Sequence, residues 1–244
     1  MPNDKLYETY HKNIKLQKRI ISLNDFTYKN TLSKIVKYIP TEGNVLDIGS
    51  ATGTIGFFFG SKGLSVDGIE LSKNAVKYAN INKKMFLLNN VNFINTSIER
   101  YNTDKKYALI TCFEVLEHLS DEISSLRKIA KFMDKNSILV ITVPSQNALL
   151  YKLGLLDKFD KRVGHLRRYS ILGIKALLGR TKFAVLEDFK SEGVVRSLLF
   201  TNKLLGFLIK FTRFYFINNI ISIIDQKTIS IFGESQLILI CKKK

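Results

Sequence analysis

The chain has 244 residues, 45% apolar and 24% charged, with three prolines and fourteen glycines; this excludes a disordered or collagen-like chain and allows one large domain with its own core. Thirty-eight Lys and Arg against 21 Asp and Glu leave a formal net charge of +17, a balance that favours anionic partners such as RNA, phospholipid head groups or acidic metabolites and that a lysine-rich genome also produces. The two cysteines, Cys112 and Cys241, lie far apart in apolar runs, which excludes a disulfide framework and a CxxC metal or redox motif and points to a reducing compartment.

Residues 1–39 read as helical and partly amphipathic, with Ile20, Ile21, Leu32, Ile35 and Ile39 as core candidates, up to the break at Pro40–Gly43. Charges run through the first twenty residues without an apolar stretch, so no secretory signal is expected and a cytoplasmic location is. His11 falls in this polar segment and reads as surface. The expected organisation is a helical leader over 1–40 and a main domain over 41–244.

From there short apolar runs alternate with helical stretches. Strands are expected at 44–48, 64–70, 91–95, 107–112 and 138–143, and helices near 54–61, 72–83 and 121–133. Runs such as SILVITV suit strands buried on both faces, and strand-helix alternation implies a doubly wound α/β fold with a largely parallel sheet. Beyond Pro144 come a helix at 170–178, a strand at 182–189, an apolar-basic stretch at 197–224 and a last strand at 236–241.

The stretch Val45–Gly53 is a strand running into a turn of small residues that opens a helix, so backbone N–H groups there would approach a polar ligand closely. Ala51-Thr-Gly53-Thr-Ile-Gly56 matches the dinucleotide fingerprint GxGxxG with its first glycine replaced. Asp47, at the strand end, decides against that ligand: a carboxylate repels a pyrophosphate and suits an ammonium or sulfonium group. Here the sequence resembles the class I S-adenosylmethionine-dependent methyltransferases, whose first motif D-x-G-x-G-x-G is matched by Asp47, Gly49 and Gly53, with Ala51 replacing the middle glycine.

Twenty-three residues beyond Asp47, Glu70 ends the next strand, where an acid accepts hydrogen bonds from ribose hydroxyls; its alternative role is to stabilise the start of the helix at Ser72. The resemblance implies a seven-stranded sheet with an antiparallel last strand and S-adenosylmethionine as cofactor. It places Ser50, Leu71, Ser97, Ile98 and Phe113 with Asp47, Gly49, Ala51, Gly53 and Glu70 in the cofactor site.

The segment Glu114-Val-Leu-Glu117-His118 follows a strand. On one helical turn, Glu114, Glu117 and His118 would stand at i, i+3 and i+4 and share a face. It resembles the EVLEH segment of small-molecule O-methyltransferases, including those of ubiquinone biosynthesis and of bacterial glycan clusters. In part of that group, and in small-RNA 3′-end methyltransferases, the two acids and the histidine hold a divalent cation. Mg²⁺ or Mn²⁺ would suit such a set and lower the pKa of an acceptor hydroxyl. Alternatively His118 is a general base, or the acids favour the helix N-terminus and the imidazole fills space. Gly164-His165-Leu-Arg167-Arg168-Tyr169-Ser170 resembles the GHxRRYS stretch of bacterial relatives; His165 would be a fourth ligand or, with Arg167 and Arg168, orient an anionic substrate.

In 197–224 the longest uncharged run is eleven residues, short of the ~20 that a membrane span requires. As one helix it would place Lys203, Lys210 and Arg213 within an arc of roughly 80° opposite Leu204, Leu205, Leu208, Phe211 and Tyr215. That helix would lie on an anionic membrane surface as a peripheral element, cover an apolar substrate, or pack as core. The expected function is methyl transfer to a hydroxyl oxygen of a small molecule, lipid or glycan precursor. A metal-dependent RNA ribose methyltransferase and a non-catalytic S-adenosylmethionine-binding protein are the alternatives.

Overall fold

The computed structural model describes residue 8 and residues 16–202 and 204–244. Seven strands form one sheet: β1 (Asn44–Ile48), β2 (Ser65–Glu70), β3 (Val91–Asn95), β4 (Leu109–Phe113), β5 (Ile138–Pro144), β6 (Phe183–Ser191) and β7 (Gln236–Lys243). Their order is β3-β2-β1-β4-β5-β7-β6, and β7 pairs antiparallel with both β5 and β6 while the other pairs are parallel. The expected doubly wound seven-stranded sheet with an antiparallel last strand is therefore present. The central strands are buried along almost their whole length, which is why they read as unbroken apolar runs.

Helices cover the sheet on both sides: α1 (Lys29–Ile35), α2 (Thr54–Gly60), α3 (Lys73–Met85), α4 (Glu122–Lys131), α5 (Leu149–Lys152), α6 (Asp157–Val163), α7 (Ile171–Arg180), α8 (Val194–Thr201) and α9 (Tyr215–Phe232). Local chemistry sets several starts. Ser72, Asp121 and Ser170 each cap a helix by accepting a backbone N–H three residues on, a bond worth about 1 kcal/mol. Two apolar clusters fill the layers: Leu116, Leu126, Ile129 and Leu177 in one, Leu32, Ile35, Phe57, Phe59 and Phe93 in the other.

Two expectations require correction. Residues 16–28 are turns, not helix. Ser22 and Asp25 bond one another through side chain and backbone, and Asn24 N–H donates to Ser22 Oγ, local bonds that compete with a helix ladder. The stretch 197–224 is not one helix: α8 ends at Thr201, a 3₁₀ turn occupies Gly206–Arg213, and α9 begins at Tyr215. Asn202 Oδ1 accepts from the N–H groups of Leu204 and Leu205, and Phe214 is extended, so the stripe proposed from 100° spacing does not form. His11 and Lys203 lie outside the described residues.

Because strand order reverses between β1 and β4, the carboxyl ends of these two strands flank the crevice where open α/β sheets bind ligands. Asp47 and Glu114 stand on its two sides.

Candidate functional site

The turn after β1 is held in a left-handed path. Gly49, Ala51 and Gly53 have φ of 73°, 45° and 89°, so two of the three sites demanding positive φ carry glycine and the third carries alanine at a cost of roughly 1–2 kcal/mol. At Gly49 there is a second reason: an added Cβ would lie 2.3 Å from Val115 Cγ2. At Gly53 it would lie 2.4 Å from the Phe93 ring.

Asp47 is 3% exposed. Its Oδ1 accepts from Thr111 Oγ1 at 2.7 Å, and its Oδ2 is buried with no hydrogen-bond partner among the described residues. Burial, opposed in part by the Thr111 bond and reinforced by the charge of Glu70, pushes its carboxyl up to about 7. A buried carboxylate oxygen without a donor is expensive, so the site is complementary to a donor or cation arriving from the crevice. Thr111 was missed in the sequence; it is the register partner of Asp47 on β4, and a polar residue inside the apolar run LITCF was the available signal.

Glu70 holds the loop. Its Oε2 accepts from Ala51 N at 2.9 Å and its Oε1 from Ser72 N at 2.8 Å, so it clamps the glycine turn and also fulfils the helix-start role. Asn95 donates to the carbonyls of Glu70 and Leu71. Ser50 and Ser97 each carry a buried hydroxyl without a partner among the described residues. Phe113 is half-buried, and Ile98 is 3% exposed within the core cluster.

The β4 end departs from expectation. Glu114 takes a left-handed φ of 53° and the following turn is a 3₁₀ segment, Leu116–His118, so Glu114 does not share a helical face with Glu117 and His118. Its N–H donates to Thr142 Oγ1, and its Oε1 accepts from Gln236 Nε2 at 3.2 Å. Instead Glu117, His118 and His165 converge, with one ligand atom each within 4.8 Å of the others. Glu117 is fully buried and, among the described residues, neither carboxylate oxygen has a hydrogen-bond partner. Burial and the neighbouring charge of Glu114 raise its carboxyl well above the usual range.

Both imidazoles turn Nε2 toward Glu117 Oε1, at 3.8 Å from His118 and 3.7 Å from His165. Their other nitrogens are anchored. His118 Nδ1 donates to Gly164 O at 3.0 Å, and His165 Nδ1 lies 2.9 Å from Asp160 Oδ1, which fixes the Nδ1–H tautomer in each ring. Burial lowers His118 to about 4, the Gly164 carbonyl opposing and the charge of His165 adding to it. Asp160 is held below the ordinary carboxylate range, its burial outweighed by bonds from Arg168 and His165. The fork of Arg168 grips both Asp160 oxygens at 2.8 and 2.6 Å. Arg167 donates to Leu119 O and Glu122. The two arginines thus brace the site internally, which corrects the expectation that they face an anionic substrate. Asp160, five residues before His165, was not foreseen; its only signal is an acid within reach of the GHLRRY loop.

A family model described as "Methyltransferase domain" matches residues 24–188. The chain is 27% identical over 112 residues to the ubiquinone biosynthesis O-methyltransferase of Rickettsia typhi, covering 46% of this chain and 45% of that protein; it spans about half the length of the curated relatives it matches. Among solved structures, magnesium protoporphyrin IX methyltransferase from Synechocystis, with bound SAH, superposes with a TM-score of 0.62 at 13% identity over 100% of this chain and 95% of that one. Coclaurine N-methyltransferase bound to N-methylheliamine and SAH gives 0.61 at 15% identity over 87% and 72%. The chain belongs to the methyltransferase-domain family and has the fold of the class I S-adenosylmethionine-dependent methyltransferases.

Proposed function

We propose that this chain transfers a methyl group from S-adenosylmethionine to a hydroxyl oxygen of a small molecule, with lipid and glycan precursors as the acceptor classes. The observation that carries the reading is Asp47 Oδ2, buried without a partner among the described residues, beside a left-handed small-residue turn at the sheet's switch point. The turn, Asp47 and the buried hydroxyls of Ser50 and Ser97 fit a ligand with both cationic and polar parts. The name of the Rickettsia relative supports oxygen as the acceptor atom.

S-adenosylmethionine, when bound, supplies an electrophilic methyl carbon on a positively charged sulfur. A hydroxyl that accepted this methyl group would have to lose its proton. Within the chain, Asp47 orients the donor and neutralises its charge, while the crevice walls exclude water. His165 Nε2 receives the proton. Asp160 positions its ring and stabilises the imidazolium that forms. His118, pushed down to about 4, is a poor proton acceptor near neutrality and serves to pack and polarise the site.

A second reading has its own observation: Glu117, His118 and His165 fit a divalent ion. Two orphaned carboxylate oxygens and two imidazoles anchored at Nδ1 form a donor set with its outer support already built. One carboxylate and two nitrogens suit Mn²⁺ or another transition ion better than Mg²⁺, which prefers oxygen ligands. Such an ion, when bound, would lower the pKa of an acceptor hydroxyl.

Incubation with methyl-labelled S-adenosylmethionine and lipid and glycan extracts tests the proposal. Labelled methyl ether is expected. Label on nitrogen would overturn the hydroxyl assignment, and binding of NAD(H) in place of S-adenosylmethionine would overturn the methyltransferase reading. Turnover lost to a chelator and restored by Mn²⁺ would select the metal reading over His165 as base.

A further inference from the structure

Helix α9 is amphipathic in the reverse sense to an ordinary surface helix. Asn218, Ser222 and Asp225, spaced i, i+4 and i+7, turn inward, and Asp225 is 0% exposed. Asp225 accepts from the backbone N–H groups of Gly193 and Arg196, both at 2.8 Å; Ser222 Oγ accepts from Arg196; and Asn218 donates to Asn24 O. At 100° per residue, Phe216, Ile220, Ile223, Ile224 and Ile231 then fall within an arc of about 100° on the opposite side. All five are exposed, Phe216 by 74% and Ile231 by 72%.

The preceding 3₁₀ turn adds exposed Phe207 and Phe211, and the extended residue Phe214 between it and α9 is exposed as well. Lys210 Nζ stands 5.3 and 5.0 Å from the rings of Phe207 and Phe211, and the Arg213 guanidinium 4.9 Å from Phe214. Between residues 204 and 233 the only acid is Asp225, which is buried, so every exposed charge on this surface (Lys210, Arg213, Lys227) is positive. At its far end the helix borders a cavity of about 590 Å³ lined in part by Lys152, Lys190, Ile231 and Phe232.

We propose that residues 204–232 are a docking surface for an anionic phospholipid bilayer, with α9 lying in the membrane plane. Among the described residues no helix is long and apolar enough to cross a membrane; α9 has its polar side bonded to the protein, so only its outer face is available for burial. Isoleucines and phenylalanines would enter the acyl boundary, while Lys210, Arg213 and Lys227 extend to lipid phosphates. Charge favours this occupant over a second copy: a twofold contact would set a surface whose exposed charges are all positive against an identical one. The inference is independent of the methyl-transfer reading.

Flotation with vesicles of phosphatidylglycerol and phosphatidylcholine tests it. The full chain is expected to float with the mixed vesicles, at least tenfold less with phosphatidylcholine alone, and at least tenfold less for Ile220→Glu/Ile224→Glu with an unchanged melting temperature. Lys210→Glu/Arg213→Glu, at exposed positions, provides a second variant and should abolish the preference for anionic lipid. Failure of the wild type to float, flotation undiminished by either variant, or a dimer in light scattering that the isoleucine variant dissociates would overturn the proposal, the last in favour of self-association.

Discussion

The crevice has two halves, and they are built differently. On the β1–β2 side, Asp47, the 49–53 turn and Glu70 come from two neighbouring strand ends, and Glu70 ties the turn, through Ala51 N–H, to the start of the next helix, through Ser72 N–H. On the β4 side, Glu117 and His118 come from one 3₁₀ turn, but their partners arrive from residues 160–168, more than forty positions away. The first half depends on backbone geometry that a single Cβ would disturb. The second depends on a relay of side chains, Arg168 to Asp160 to His165, that orients a ring. A local backbone site should fail through folding and cofactor binding; a relayed side-chain site should fail in turnover with the fold intact.

Gly49→Ala should show the first failure at its largest. With a left-handed φ and Val115 Cγ2 2.3 Å from the new Cβ, we expect destabilisation of about 2–4 kcal/mol in thermal denaturation and loss of S-adenosylmethionine binding. Gly63→Ala is the control, since it shares a positive φ of 87° but meets nothing within 4 Å; it should cost only about 1 kcal/mol. If the two substitutions cost the same, packing against Val115 plays no part.

Asp160→Asn should show the second failure. Turnover is expected to fall by roughly 10- to 100-fold, the acid limb of the pH–rate profile to move, the melting temperature to drop because buried Arg168 loses its charged partner, and S-adenosylmethionine binding at a temperature where the variant is folded to stay near wild type. Parallel loss of binding and turnover would mean that the relay supports the whole crevice and not one ring. The smallest effect is expected for Ala51→Gly. It relieves a left-handed alanine worth about 1–2 kcal/mol and adds unfolded-state entropy worth about 0.5–1 kcal/mol, so stability should rise by up to about 1.5 kcal/mol; a lower melting temperature would show that the turn tolerates alanine without strain.

The sheet was legible because its central strands β1, β4 and β5 are buried along almost their whole length and appear as largely apolar runs, and because glycines mark two of the left-handed positions after β1. The β4 side was only half legible. Glu114 carries a positive φ without a glycine to announce it, so counting i, i+3 and i+4 assigned it to a turn that begins later. Asp160 follows no pattern with His165, since the loop that joins them is set by tertiary packing. Residues 197–224 misled for a related reason: hydrophobicity names the residues that avoid water but not which side of a helix the protein takes, and in α9 buried polar bonds to Arg196 and Gly193 fix the polar face inward.

The role of Asp47 in receiving a cationic donor can be read from its titration. Its carboxyl is raised to about 7, so it is largely neutral at pH 6 and largely ionised at pH 7.5 and above, and a positively charged donor binds the ionised form. Calorimetric titration of S-adenosylmethionine should therefore show affinity rising about tenfold from pH 6 to pH 7.5 in the wild type, with weak and pH-independent binding for Asp47→Asn. An equal pH dependence in both proteins, or undiminished affinity in the variant, would contradict the assignment of Asp47 as the residue that receives the donor.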